Sequence, residues 1–388
     1  MAEASKPLVG IKVLDLTQAL SGPFATQLMA DLGADVVKVE SPAHTDNTRD
    51  VHPFIDDVSH YFAAINHDKR SLSLDLKQPD KRELLLSLAE KADVIISNYR
   101  AGALDALGLG SDVLAARNPR LIQCLISGFG QGEGMYRRRS AYDATMQAMT
   151  GFMSVTCDSE GGGPLRCGIS IGDIIPALFS VQAITTALFN REKTGKGQVL
   201  DVAMFDCLFS SLSYFITLTQ ATGKPPLPSG AVHASVAPMG RFEASDGWLM
   251  IAAFTEGFWR NLCRALNLTH FAEDPRFVTM KERLANRDLL MKELQHVFKT
   301  KSRDEWLVIL DNHDVPNSPV LNVLDVLNHP LVQERQLLRP QATPLGGTVH
   351  VSRQPVIYGS KIPVTQPASP APALGKHSEE VVRDWLGT

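Results

Sequence analysis

The first forty residues limit the fold most sharply. Residues 9–16 form an apolar run rich in β-formers, ending Val13-Leu14-Asp15-Leu16. A polar, small-residue turn follows, Thr17-Gln18-Ala19-Leu20-Ser21-Gly22. Pro23 then stands where a first helical residue tolerates a missing N–H. The helix expected over 24–32 stops at Gly33, and residues 35–40 read as the next strand. Two strands joined through a helix by short loops run parallel, with a right-handed crossover. The alternation continues with strand 71–76, helix 79–91, and strands 93–97 and 120–127. This pattern predicts an open, mostly parallel α/β sheet. Ligands of such sheets sit beyond the carboxyl ends of the strands. Here those ends are the 17–22 turn, Glu40-Ser41, Asn98-Tyr99 and Gly128-Phe129-Gly130.

A chain of 388 residues exceeds one ordinary core, so two domains are expected. A long apolar helix over 173–193 turns at Thr194-Gly195-Lys196-Gly197-Gln198 into strand 199–203, and another helix follows over 205–222. The proline- and glycine-rich run 223–230 then marks a linker. Residues 1–222 read as a large Rossmann-like domain and 231–322 as a smaller α+β domain. In the smaller one, β segments 240–244 and 248–252 flank Ser245-Asp246-Gly247, a hairpin signal. Helices are expected around 258–266 and 287–300, and Ser302 with Glu305 makes a capping box for a further one. Residues 323–388 read as a return linker and a C-terminal segment that packs on the large domain.

Bulk properties narrow the function. A formal charge of -4 and a pI near 6.3 give no electrostatic case for nucleic acid or an anionic membrane surface. No apolar run is expected to reach bilayer-spanning length, and the N-terminus lacks signal-peptide architecture. The five cysteines are scattered without a CxxC, as in reduced cytoplasmic proteins. The eleven histidines show no metal spacing, and no metal is expected.

The stretch Gly168-Ile169-Ser170-Ile171-Gly172-Asp173 offers two nucleophiles at the mouth of a helix. GxSxG matches a serine-hydrolase elbow around Ser170, which needs a strand before it, but the preceding residues look like a loop. Asp173 reads either as an N-cap or as a carboxylate kept charged by the helix start and able to attack an acyl carbon. Glu40 lies where a dinucleotide fold places its ribose-binding acid, yet the first turn lacks GxGxxG. Arg49 and the run Arg137-Arg138-Arg139 suit an anionic ligand.

Several motifs together resemble the family III CoA-transferases. They are Leu14-Asp15-Leu16-Thr17, Gly22-Pro23, Leu32-Gly33-Ala34-Asp35-Val36-Val37-Lys38-Val39-Glu40, Asn66, Lys69-Arg70-Ser71 and Asp75-Leu76-Lys77. Asn98-Tyr99, Tyr142-Asp143, Gly172-Asp173, Lys193-Thr194-Gly195-Lys196-Gly197-Gln198 and the segment from His233 to Pro238 complete the series in order.

The resemblance implies that Asp173 forms an aspartyl anhydride and then an aspartyl-CoA thioester, moving CoA from an acyl-CoA to a carboxylate, expected to be a small dicarboxylate. Coenzyme A would be a substrate thioester, with no tightly bound cofactor. The resemblance places CoA along Gln18, Ala19, Leu20, Leu74, Lys77, Asn98, Tyr99 and Tyr142. Ser41 and Ala106 stand where some relatives carry arginines, and Arg139 is the candidate replacement. The small-domain loop Phe254-Thr255-Glu256-Gly257 has one glycine, unlike the glycine-rich loop of oxalate-type enzymes. The resemblance also implies an interlocked homodimer. Two alternatives stand beside it: an α-methylacyl-CoA racemase-like enzyme, which would need a histidine where this chain has Tyr142, and a serine hydrolase using Ser170.

Overall fold

The computed structural model describes residues 6–156, 163–226, 230–359 and 366–387. Two compact units emerge. Met1–Thr150, Cys167–Ser213 and Pro330–Thr388 form one, and Gly151–Arg166 with Tyr214–His329 the other.

The first unit is built on six parallel strands: β1 (Lys12–Asp15), β2 (Asp35–Glu40), β3 (Arg70–Ser73), β4 (Val94–Ser97), β5 (Ile122–Ser127) and β6 (Val199–Ala203). Their order is β3-β2-β1-β4-β5-β6, the doubly wound Rossmann arrangement. The order reverses between β1 and β4, so a crevice opens at their carboxyl ends. Both faces of these strands are covered, and their side chains are accordingly apolar on both faces: Val13, Leu14, Val37, Ile95 and Ile96 are all buried.

Helix α1 (Ser21–Asp31) starts before the expected Phe24, with Phe24 N–H bonded to Leu20 O at 2.8 Å. Gly22 permits this early start. A Cβ there would fall 2.2 Å from Thr17 Cβ. β3 stops at Ser73, short of the expected 71–76, as the chain turns through Asp75 O···H–N Gln78 into α3 (Pro79–Ala89), which follows the short helix α2 (His60–Asn66). The helix expected over 205–222 is two, divided at Ser213, whose φ is +47°. The second of these, Tyr214–Thr222, belongs to the second unit, where Tyr214 stacks on His233 at 6.1 Å.

Two helices frame the crevice from the far side of β5. Helix α4 (Asp143–Met149) is short, and α5 (Ile171–Thr194) is the long connection from β5 to β6. At 24 residues and mean hydropathy 1.5, α5 is long and apolar enough to cross a bilayer by length and composition, which corrects the expectation that no run reaches that length. It packs against α1 along one face, burying Ala177, Ser180, Ile184, Ala187 and Arg191, and leaves Leu178, Phe179 and Phe189 exposed.

The tail contains structure that its weak periodicity hid. A hairpin pairs Leu338–Ala342 with Thr348–Ser352, and a helix spans Ser378–Leu386. Trp385 and Val381 of that helix join the core around Leu14, Leu72 and Leu88. Arg339 bonds Asp31 and Asp68 at 2.8 and 2.7 Å, and Arg70 bonds Asp384 at 2.9 Å.

In the second unit, strands Met239–Glu243, Trp248–Ala252 and Asn317–Pro319 form an antiparallel sheet, and its hairpin pairs Trp248 with Glu243. Phe242, Leu249, Trp259, Leu262, Phe298 and Trp306 centre its core. The Ser302–Glu305 capping box is present. The loop Phe254–Glu256 is held by the buried Arg283, which donates to Phe254 O, Ala237 O, Phe277 O and the Glu256 carboxylate. The linker residues 227–229 and Cys157 lie outside the described residues.

Candidate active site

The turn after β1 is fixed by buried polar groups from below. Gln18 N–H donates to Asn98 Oδ1 at 2.9 Å, and Asn98 Nδ2 donates back to Gln18 O at 2.6 Å. Ala19 takes a left-handed φ of +62°, costly for a residue with a Cβ, and its N–H is held by Asp46 Oδ1 at 3.2 Å. Lys38 Nζ reaches Thr17 O at 2.8 Å and Asp46 Oδ2 at 2.9 Å, all within the interior. Burial works against the Lys38 ammonium, but Asp15, Asp46 and Glu40 together raise its pKa. Burial likewise opposes the Asp15 anion, yet Lys69, Lys38 and the hydroxyls of Thr17 and Thr26 bring it down to about 2. These charges are paired and hydrogen-bonded, the condition under which a buried ion is tolerated.

Glu40 and Arg49 belong to this scaffold. Arg49 Nε and Nη2 grip the Glu40 carboxylate at 2.9 and 2.6 Å, and Arg49 Nη1 bonds Pro372 O. Glu40 is therefore committed to an ion pair, with no open carboxylate for a ribose. Arg49 is likewise spent, which corrects its reading as a group for an anionic ligand.

Above the turn lies a cleft of ≈ 280 Å³. Gln18, Ala19, Asn98, Tyr99, Arg139, Tyr142 and Asp173 line it together, joined by Asn47, Arg100, Arg137 and Ser140. Leu20, Leu74 and Lys77 are not among its lining residues. Leu20 precedes α1 as its N-cap, and Lys77 is exposed beyond β3. Leu74 is buried, and with Lys81 and Ser378 it lines a separate groove beside β3.

Asp173 sits in the first turn of α5, two residues past its start, with Ser170 as the N-cap residue. The N-cap expectation is corrected accordingly. Asp173 faces Asp143, the first residue of α4. Asp143 Oδ1 accepts from Gly172 N–H at 2.8 Å and from Gln147 Nε2 at 2.7 Å. Gly172 allows this approach, since a Cβ on it would lie 2.9 Å from Asp143 Oδ1 and 3.0 Å from Asp143 O. Burial, and then the Asp143 charge, push the Asp173 carboxyl up to about 7. The helix start thus does not keep Asp173 charged at all pH; it titrates near neutrality. Asp173 and Asp143 also reach Tyr61, whose pKa burial and then these two acids raise.

The cleft is rich in cations without carboxylate partners among the described residues. Arg100 Nη2 donates to Ser140 Oγ at 2.6 Å. Arg137 Nε is buried with no hydrogen-bond partner, and Arg139 lies over the Tyr136 ring at 5.2 Å. Among the described residues no histidine lines the cleft, so a racemase's second base is missing from it. No strand occurs over 163–170, so Ser170 lacks the strand–turn–helix setting of a hydrolase nucleophile. Among the described residues one group could hold a metal ion, Asp31 with His67 and Asp68, and there the Arg339 guanidinium spans the two carboxylates.

An open α/β sheet with an arginine-rich cleft at its switch point, and the Asp173 carboxyl on the cleft wall, is the setting of a site for an anionic ligand. The chain belongs to CoA-transferase family III, whose model matches residues 8–378. It is 36% identical over 369 residues to the acetyl-CoA:oxalate CoA-transferase of Acetobacter aceti, covering 95% of this chain and 94% of that protein. It is 36% identical over 384 residues to the succinyl-CoA:mesaconate CoA-transferase of Haloarcula hispanica, at 96% and 94% coverage. The crystal structure of a CAIB/BAIF family protein from Brucella suis superposes with a TM-score of 0.85 at 37% identity, covering 98% of this chain and all of that one. The protein is a CoA-transferase.

Four residues central to this geometry had no site role in the sequence reading: Lys38, Asp46, Asp143 and Gln147. Lys38 did carry a signal, as a charge inside the otherwise apolar strand Val36-Val37-Lys38-Val39. Asp46 carried another, as the cap of Thr48 in an Asp-x-Thr turn.

Proposed function

We propose that the enzyme moves CoA from an acyl-CoA to a small dicarboxylate, with Asp173 as the group that carries the acyl and then the CoA. The observation that carries this reading is Asp173 itself: a half-buried carboxyl titrating at about 7, on the wall of a cleft whose arginines have no carboxylate partner among the described residues. At neutral pH a large fraction is ionised and weakly hydrated, which suits a carboxylate nucleophile.

The ionised Asp173 attacks the thioester carbonyl, and CoA leaves as thiolate, giving an aspartyl–acyl anhydride. Thiolate then attacks the aspartyl carbonyl, releasing the donor acid and leaving an aspartyl-CoA thioester. The acceptor carboxylate displaces thiolate to form a new anhydride, and thiolate takes the acceptor acyl group, restoring Asp173.

Gln18, Ala19, Asn98, Tyr99 and Tyr142 would flank the pantetheine. Arg139, with Arg100 and Arg137, would meet phosphate. The nucleotide end of CoA would extend toward Leu74 and Lys77. The two relatives are named for oxalate and mesaconate, both dicarboxylates, which favours that acceptor class. We further place the enzyme in the cytoplasm as a homodimer. Leu178, Phe179 and Phe189 on α5 are exposed in a single chain, and burial of such side chains against a second copy would account for them.

Incubation with succinyl-CoA or acetyl-CoA and a panel of labelled mono- and dicarboxylates tests the reading. Ping-pong transfer of CoA to a dicarboxylate is expected. Hydrolysis without transfer, or transfer to monocarboxylates alone, would overturn it.

A further inference from the structure

The segment that delivers Asp173 has no regular structure of its own over 167–170, yet it must hold the carboxylate to a fraction of an ångström. A hydrogen-bonded pair of buried side chains, Gln147 and Asp143, ties down both of its ends. Gln147, 1% exposed on α4, accepts from Cys167 N–H through Oε1 at 2.8 Å. Its Nε2 donates to Asp143 Oδ1 at 2.7 Å, and the same oxygen accepts Gly172 N–H at 2.8 Å. Cys167 and Gly172, the two ends of the run before Asp173, are thus pinned to one Gln147–Asp143 pair.

The amide orientation follows from the partners. A backbone N–H can only donate and an ionised carboxylate can only accept, so Oε1 must face Cys167 and Nε2 must face Asp143. Few side chains could replace it. A glutamate offers acceptors to both, setting a second carboxylate against Asp143. A methionine of similar length offers no hydrogen bond to either and leaves a buried N–H and a buried carboxylate short of a partner. Gln147 does not line the cleft, so it cannot act on substrate directly.

We propose that Gln147 is the positioning residue of the site, holding Asp143 and the Cys167–Gly172 segment as one hydrogen-bonded unit that sets where Asp173 is presented. The proposal rests on the CoA-transfer reading only for its kinetic consequences; the hydrogen-bonded unit itself is open to a measurement that needs no turnover.

That measurement is amide hydrogen exchange of the wild-type enzyme, resolved to single residues. The Cys167 and Gly172 amides are expected to exchange at least ~100-fold more slowly than Ile169, which lies between them and is exposed. In Q147M both amides should lose this protection. Its kcat should fall by roughly 100-fold, the cost of an ångström-scale misplacement, with KM for acyl-CoA within about twofold of wild type. Q147E adds a negative charge beside Asp143 and should move the acidic limb of kcat to higher pH, a shift that a role in stability alone would not cause. Wild-type amides of Cys167 and Gly172 that exchange as fast as Ile169 would overturn the proposal, and this arm decides it even if Q147M does not fold. A folded Q147M with native kcat would overturn it equally. Protected amides in a wild-type enzyme that transfers no CoA would instead sink the CoA-transfer reading and leave the positioning role standing.

Discussion

Replacing Asp143 by asparagine isolates the electrostatic part of the site. Both hydrogen bonds from Gly172 and Gln147 fall on the same Asp143 oxygen, Oδ1. The side-chain carbonyl of an asparagine can accept both, so D143N removes a charge while keeping these contacts. The rise of Asp173 from 3.8 to about 7 corresponds to roughly 4 kcal/mol held against its ionised form. Burial is the larger cause and Asp143 the second. At an effective dielectric of about 20, a neighbouring like charge repels a carboxylate by on the order of 2 kcal/mol. Removing it lowers the carboxylate's pKa by about one to one and a half units.

The direction follows from which form is active. Asp173 must be ionised to attack, so activity rises with pH through its pKa, and a lower pKa moves that limb toward acid. In D143N the acidic limb of kcat should fall from near pH 7 to about 6, and activity at pH 6 should exceed that of wild type in relative terms. Steady-state transfer rates from about pH 5 to 9, in buffers of constant ionic strength, would show this. An acidic limb unmoved in a folded D143N would refute the assignment of Asp143 as an electrostatic partner of Asp173, and a limb moved to higher pH would refute the sign.

Loss of the rim cations should weaken binding more than chemistry. R137A and R139A are each expected to raise KM for acyl-CoA roughly tenfold, consistent with a charge-assisted hydrogen bond, and the effect should shrink in high salt when KM is measured from about 0.05 to 0.5 M NaCl. Gly172→Ala places a Cβ within 3.1 Å of Asp143 Oδ1, O and Cα. Urea unfolding should show a loss of ~1–3 kcal/mol, accompanied by a drop in kcat as α4 and α5 are forced apart. In the second unit, R283M removes a buried guanidinium that satisfies Ala237 O, Phe277 O and Phe254 O, and urea unfolding should show a loss of about 3 kcal/mol.

The parallel sheet was legible because its strands repeat one local rule: an apolar run, a small-residue turn, a helix closed by glycine. The turns at the carboxyl ends were legible for the same reason, and they bring Gln18, Asn98 and Tyr99 to the cleft that Asp173 reaches from the start of α5. What escaped were features decided by distant partners. Glu40 and Arg49 looked available until their mutual ion pair was seen. Leu74 and Lys77 follow β3 at the edge of the sheet and do not line the cleft at the β1/β4 crevice. The helix at Ser378–Leu386 depends on Trp385 and Val381 reaching a core whose other members lie near residues 14–121, a pairing no local window contains. The titration of Asp173 near neutrality was hidden for the same reason. Its helix position argues for a charged carboxylate, and only burial together with Asp143 reverses that.

Whether Asp173 becomes covalently modified during turnover decides the account most directly. The enzyme would be mixed with acyl-CoA donor, quenched with hydroxylamine or reduced with borohydride, and digested for peptide mass spectrometry. A hydroxamate or the corresponding alcohol at Asp173, formed only with donor present and absent from D173N, is the predicted result. Modification at Ser170, or an active donor that leaves Asp173 unlabelled, would contradict it.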